Sequence, residues 1–288
     1  MKYAVIAQEA KLPTIRKCAI LSVSRSGYYD WRKRSISMQE LSNQQLDEHI
    51  GRIYAEHAGR YGYRRVREEL QELGLSASLE RVRRRMRRMG LRGIQSRKFK
   101  HTTNSRHRLP LASNLLGQNF NPKHANQAWV GDITYIRVKQ KWLYLAVVLD
   151  LYSRKVIGWA FGERIHAKLV TDALKFALRN RAYPTGVIVH TDRGSQYCSK
   201  AYQTLIKSYN LKSSMSGKGN CYDNAACESF FHTLKVECVY QYSFDSIAHA
   251  RSVIFWFIEV YYNRKRKHST IGYLSPVNFE FQAMDLVA

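Results

Sequence analysis

Apolar residues return at helical intervals through the first third of the chain and at strand intervals after it. In the first part, Thr14–Ile20 predicts one short helix. A second starts from a cap at Ser24 or Ser26 and runs through Tyr28, Tyr29 and Trp31 to Arg34. Further on, Val66, Leu70 and Leu73 recur at i, i+4 and i+7, with Gly74 as the stop. The next helix runs from Ser78 to Gly90, with Leu79, Val82, Met86 and Met89 on one narrow stripe. From Ala128 the period shortens. Trp129–Val138 and Trp142–Asp150 predict two strands joined at Lys139-Gln140-Lys141, and Lys155–Phe161 a third. Helix and strand then alternate: a helix with Val170, Ala173, Leu174, Ala177 and Leu178 on one face, a buried-type strand at Gly186–His190, a helix over Ala201–Tyr209 and a strand at Lys212–Met215. A long helix from about Asn224 and a last one over Ile247–Tyr262 follow. Three meandering strands followed by this alternation predict an α/β fold with a mixed sheet flanked by helices.

Charge sharpens the division. The 288 residues hold 47 Lys and Arg against 22 Asp and Glu, a net charge of +25. Residues 1–124 account for +16 of it and residues 125–288 for +9, so the shorter portion is the more basic. An excess of this size draws a protein to polyanions. On the Ser78–Gly90 helix, Arg81, Arg83, Arg84, Arg85, Arg87 and Arg88 cover everything outside the apolar stripe, and like charges so crowded repel unless phosphates neutralise them. The helix pair at 14–34, with Arg25, Arg32, Lys33 and Arg34 on its second member, has a helix-turn-helix outline. The expected organisation is a basic helical DNA-binding region at 1–94, a basic linker at 95–124 and a catalytic core at 125–288. No apolar run is long enough for a transmembrane helix, and Gln8 and Glu9 interrupt the start too early for a signal peptide. Five cysteines without a C-x-x-C pair indicate neither disulfide framework nor zinc site, which fits a reducing cytoplasm.

Three carboxylates stand out by position. Asp132 lies inside the first strand, Asp192 just past the fourth, and Glu228 on the long helix, with 35 residues between it and Asp192. Carboxylates set among apolar strand residues are expensive unless a cation neutralises them, and oxygen ligands suit magnesium. In-line displacement at a phosphodiester needs an activated oxygen nucleophile, a stabilised leaving oxygen and a neutralised phosphoryl group, which two metal ions about 3.5–4 Å apart supply. The expectation is that Asp132 bridges the ions while Asp192 and Glu228 complete the two shells. Lys235 follows Glu228 by seven residues, almost two helical turns, and so shares its face beside a DNA phosphate; Asn224 lies one turn before. Asp150 is expected to orient the turn at Ser153-Arg154, Asp223 to cap the Glu228 helix, and His190 to be a satisfied core histidine rather than a partner of Asp192. Gly217 and Gly219 around Lys218 mark a loop, without a Walker-type pattern.

The strand aspartate, H-T-D-R-G-x-Q-Y at His190–Tyr197, D-N-A-x-x-E-S-F-F at Asp223–Phe231 and Lys235 together resemble the D-D-(35)-E motif of the integrase-like transposases of bacterial insertion sequences. The likeness is to the second-frame (OrfB-type) product of the insertion-sequence-three family. It extends to Gly27-Tyr28-Tyr29 with Trp31, to R-Y-G-Y-R-R at Arg60–Arg65 (with Arg64 and Arg65 added to the expected DNA contacts), and to Y-N-R-x-R-x-H and G-Y-x-S-P-x-x-F over Tyr262–Phe279.

This resemblance implies an RNase H-like integrase catalytic core with a five-stranded mixed sheet, preceded by a helix-turn-helix-like region. It implies two Mg²⁺ or Mn²⁺ ions held by Asp132, Asp192 and Glu228, and copy-out/paste-in transposition through DNA cleavage and strand transfer at the element's terminal inverted repeats and its target. It further implies a homo-oligomer on DNA, a nucleoid-associated life in the cytoplasm, and an upstream-frame OrfA-type partner or fusion, since this chain has no leucine heptad of its own. The retroviral zinc domain has no counterpart, because residues 1–100 lack paired His and Cys. A regulator that binds the element's ends without cutting is the main rival, and a ribonuclease or repair nuclease on the same fold the second. The complete acidic set opposes the first, and the basic helical region opposes the second.

Overall fold

The computed structural model describes residues 2–94, 111–217 and 221–285. Much of the expected linker, with Arg97, Lys98, Lys100, Arg106 and Arg108, and the pair Lys218-Gly219 lie outside the described residues. Six helices come first: α1 (Lys2–Gln8), α2 (Thr14–Ile20), α3 (Arg25–Lys33), α4 (Met38–Glu56), α5 (Tyr63–Glu72) and α6 (Leu79–Arg88). The strands β1 (Ala128–Val138), β2 (Lys141–Asp150) and β3 (Val156–Gly162) follow, then α7 (Ala167–Asn180), β4 (Ile188–Thr191), α8 (Lys200–Ser208) and β5 (Lys212–Met215). A 3₁₀ turn at Cys221–Asn224 leads into α9 (Ala225–Glu237); α10 (Ile247–Trp256) continues as a π-helical turn Phe257–Tyr262, and α11 (Pro276–Asp285) closes the described chain.

The five strands form one mixed sheet in the order β3-β2-β1-β4-β5. β1, β2 and β3 are an antiparallel meander, and β4 and β5 add in parallel beside β1. Alternation along each strand sends side chains to opposite faces, and both faces are covered. Trp129, Ala146, Val148 and Ile157 pack with α7 and α8 through Leu169, Leu174, Leu178 and Ile206. On the other face, Val130, Ile136, Val147 and Leu149 pack with Cys227, Phe230 and Leu234 of α9 and with Ile254, Phe257 and Ile258. The same core continues without a break into Leu46, Ile50, Ile53, Val66, Leu70, Val82 and Met86 of α4, α5 and α6. Only α1–α3 keep a separate small core, of Ile6, Cys18 and Tyr28.

Several expectations change in detail. Ser24, not Ser26, caps α3 by accepting from Gly27 N. Ser78 caps α6 as expected, but Leu79 and Leu73 are exposed, and Arg85 takes a place in the buried stripe with Val82 and Met86. The longest helix, α4, has no counterpart in the pattern set out above. Residues 111–124, grouped with the linker, lie against the sheet: Leu116 is buried, and the backbone N–H groups of Leu115 and Leu116 donate to Ser214 Oγ at 2.9 and 3.3 Å.

The clasp between the helical region and the sheet explains two of the sequence blocks. Arg60 Nε donates to the Glu237 carbonyl at 2.8 Å, with its guanidinium 4.6 Å from the centre of the Tyr261 ring. The Tyr61 hydroxyl, fully buried, accepts from Lys267 N at 2.8 Å. Glu237 receives both Arg266 and Arg65. R-Y-G-Y-R-R and Y-N-R-x-R-x-H are therefore two halves of one buried contact.

Candidate active site

The last rung of the parallel β1–β4 ladder pairs Gly131 with Thr191. Asp132 and Asp192 are each the next residue along, Asp132 still within β1 and paired with Val147 of β2, Asp192 just past the end of β4, so they sit on neighbouring chains about 4.8 Å apart at the backbone. Alternation puts Asp132 on the Val130 face, which α9 covers. The start of α9 is fixed over this point by Asn224, whose Nδ2 donates to the Gly131 carbonyl at 3.4 Å. One turn on, Glu228 comes over the strand pair; all three carboxylates are half-buried.

Their mutual influence shows at Asp132. Burial first, then the charges of Asp192 and Glu228, raise its proton affinity well above the ordinary carboxylate range, against the Ile133 N–H and the Lys235 ammonium. Asp132 Oδ1 accepts from Ile133 N at 2.7 Å and Asp192 Oδ1 from Gly194 N at 2.9 Å. The lack of a side chain at Gly194 matters, since a Cβ there would stand 3.0 Å from Asp192 Oδ1. Beneath the pair, Tyr197 is buried and its hydroxyl is driven well above its usual value by burial, Asp132 and Asp192. Among the described residues no three His, Cys, Asp or Glu side chains stand ready-made as a metal cage. The donor set itself fits a hard divalent cation: oxygen ligands only, crowded enough to resist ionising alongside one another.

Lys235 lies on the expected face. Its Nζ is 5.0 Å from the centre of the Tyr135 ring and within electrostatic reach of Asp132, and burial lowers its pKa against the opposing pull of Tyr135 and Asp132. Asn224 is buried and holds the backbone of β1. The carboxylate of Asp223 does not cap α9. It accepts from Gly217 N at 2.7 Å, Asn114 Nδ2 at 3.0 Å and Gln118 Nε2 at 3.0 Å; burial pushes its pKa up, but the bonds from Gly217 and Gln118 and the neighbouring His190 and Arg193 hold it below the usual range. His190 is a core histidine: fully buried, it bonds Ser214 Oγ at 2.8 Å and Ser216 Oγ at 3.2 Å, and burial lowers it to about 4. Asp150 accepts from Asn126 N, Tyr152 N and Arg181, which ties the end of β2 to α7.

The arginines divide. Arg25, Arg64, Arg84 and Arg88 are exposed. Arg85 is buried with its guanidinium on Asp47 of α4, Nε donating to Oδ1 at 2.7 Å, and Arg65 reaches Glu237 at 3.3 Å. Helical periodicity identifies the apolar stripe of α6, but only the position of Asp47 shows which arginine joins it. Arg83, Arg87 and Arg92 received no separate weight from the sequence, yet they face α9 across an open groove.

A meander extended by two parallel strands, with acidic residues mid-β1, just past β4 and on the covering helix, defines an integrase-type polynucleotidyl transferase core. The integrase core domain family matches residues 122–221, a second integrase core domain family residues 209–276, and an HTH-like domain family residues 40–99. The HTH-like match thus falls mainly on α4–α6, not on the helix pair at 14–34. The chain is 47% identical over 283 residues to the transposase InsF of insertion sequence IS3A from Escherichia coli K12, covering 97% of this chain and 98% of that protein. It is 46% identical over 285 residues to InsF of IS3fB from the same organism, covering 98% and 99%. A chain of the simian T-cell lymphotropic virus intasome is similar with a TM-score of 0.49 at 17% identity, covering 80% of this chain and 74% of that one. This chain belongs to the IS3 family of insertion-sequence transposases. It is a DDE-type polynucleotidyl transferase that cleaves and joins DNA at the ends of its insertion element.

Proposed function

We propose that Asp132, Asp192 and Glu228 are the catalytic carboxylates of this transposase and would together hold two divalent ions, Mg²⁺ or Mn²⁺. The observation that carries the reading is the placing of Asp132, mid-β1, and Asp192, just past β4, each one residue beyond the Gly131–Thr191 rung and beneath α9, with the proton affinity of Asp132 raised by burial and by the charges of Asp192 and Glu228. Bound there, the ions supply the activation of the attacking oxygen, the stabilisation of the leaving oxygen and the neutralisation of the phosphoryl group. The chain's own part is placement. Gly194 N–H fixes one oxygen of Asp192, Asn224 sets the height of α9 over β1, and Lys235 presents a cation to the DNA phosphate next to the reacting one. No side chain forms a covalent intermediate in this scheme.

The exposed arginines Arg25, Arg64, Arg84 and Arg88 serve as DNA contacts of the helical region, whereas Arg65, Arg85 and Asn224 support the frame that carries them. We assign residues 1–94 to DNA binding and 125–288 to catalysis. The working assembly is a homo-oligomer on the terminal inverted repeats, joined or fused to an upstream-frame product and acting on nucleoid DNA in the cytoplasm. No described helix is long and apolar enough to cross a membrane. The test is Mn²⁺ binding by calorimetry, alongside strand transfer, on wild type and Asp192→Asn. Loss of both in the variant supports the assignment; Mn²⁺ binding unchanged in the variant removes Asp192 from the site.

A further inference from the structure

Where the helical region meets the catalytic helix, a groove of about 700 Å³ opens between α6 with the Leu91–Ile94 segment on one side and His232, Thr233 and Val236 of α9 on the other. Six arginines and a single carboxylate, Glu237, line it. Three of the six are tied down: Arg65 and Arg266 on Glu237, and Arg60 on the Glu237 carbonyl and the Tyr261 ring. The other three, Arg83, Arg87 and Arg92, are exposed, and among the described residues only Arg83 has an acidic partner, Glu80, at 3.3 Å. The groove rim is built closely. Ile94 N donates to the Gly59 carbonyl at 3.1 Å, and a Cβ on Gly93 would stand 2.7 Å from Gly62 N.

We propose that this groove holds the phosphate backbone of the element's own DNA end, a few nucleotides from the bond being cut. The inference deepens the function proposed above and rests on it. Planar guanidinium groups grip phosphate oxygens in pairs, and the lone carboxylate is already neutralised, so nothing in the groove repels a polyanion. His232 and Val236 lie four and eight residues beyond Glu228, roughly 6–12 Å along the helix at 1.5 Å per residue. At about 3.4 Å per nucleotide of one strand, that distance is two to four phosphates from the reacting one. The element's end is the occupant, because one wall is α6, within the HTH-like match at residues 40–99, and the other is the catalytic helix. DNA lying between them is DNA that the same chain both recognises and cuts.

The test uses the full chain, a duplex carrying the element's terminal inverted repeat and a duplex of unrelated sequence standing in for target DNA. Arg83→Gln/Arg87→Gln/Arg92→Gln is expected to melt like wild type, bind the terminal duplex at least tenfold more weakly, and lower its slope of log affinity against log salt by about 2–3. Methylphosphonates two to four nucleotides from the cleaved bond should weaken wild type and leave the triple variant unaffected. An unchanged slope, a loss confined to the unrelated duplex, or methylphosphonates that weaken the variant as much as wild type each overturn the assignment. Binding is read without catalysis, so absence of strand transfer in wild type would refute the proposed function alone.

Discussion

Asp132 stands where a carboxylate is costly, half-buried beside two others, and burial and their charges raise its proton affinity. Removing its charge should therefore relieve the fold while ending the chemistry. Asp132→Asn is expected to melt at the same temperature or a few degrees higher, with about 2–4 °C for each kcal/mol in a domain of this size, and to lose strand transfer. A drop in melting temperature would mean that the charge is structurally compensated. Gly194 gives a finer probe. Gly194→Ala pushes a methyl group against Asp192 Oδ1 and should lower strand transfer at least tenfold, while far-ultraviolet circular dichroism and melting stay close to wild type. Glu237 is the opposite kind of acid: burial pushes its pKa up, but Arg266 and Arg65 outweigh burial and hold it below its ordinary value of 4.5. A depressed folded pKa contributes stability above 4.5 that is lost as pH falls through the lower folded value. Glu237→Gln leaves Arg266 buried without its counter-charge and should cost about 3–5 kcal/mol in denaturant unfolding at neutral pH, with less further loss than wild type on acidification.

At the scale of elements, the sheet depends on close approach between β3 and α7. A Cβ on Gly158 would stand 2.3 Å from the Ala173 carbonyl and 2.6 Å from Ala177 Cβ, so Gly158→Ala must push the helix off the strand. The expected loss is about 1–3 kcal/mol, read by denaturant unfolding, and an unchanged midpoint would show that α7 can shift freely. The strands were legible because their two-residue period and turn residues agree: Trp129–Val138, expected from the pattern, is observed as Ala128–Val138. The helix α4 was missed although its signals are present. Ser37 accepts from Glu40 N in a capping-box sequence, and Leu46, Ile50 and Ile53 lie at i, i+4 and i+7, but long polar residues around them dilute the stripe. Contacts distant in sequence were beyond reach. Nothing local in α6 shows that Arg85 turns inward to Asp47, 38 residues earlier, or that Asp223 anchors Asn114 and Gln118 instead of capping α9. The spacing of Asp132, Asp192 and Glu228 is a property of the sequence itself, and the fold brings these three marked positions within electrostatic reach of one another.

At the scale of the molecule, α4–α6 and the sheet with α9 share one hydrophobic core, so DNA bound by α4–α6 as proposed would be held at a fixed distance from the carboxylates. Positive charge stands at both places, on the exposed arginines of α6 that line the groove and on Lys235 beside Asp132. The central claim is that this body joins DNA strands through Asp132, Asp192 and Glu228 with divalent metal. It is tested most directly by incubating the full chain with a pre-cut element end bearing a free 3′-hydroxyl and a plasmid target, with Mg²⁺ or EDTA, and counting joined products. Joining by wild type in Mg²⁺ alone, with none above background for Asp132→Asn, Asp192→Asn or Glu228→Gln while each still binds the end, is the predicted result. Joining in EDTA, or near-normal joining by any of the three variants, would contradict it.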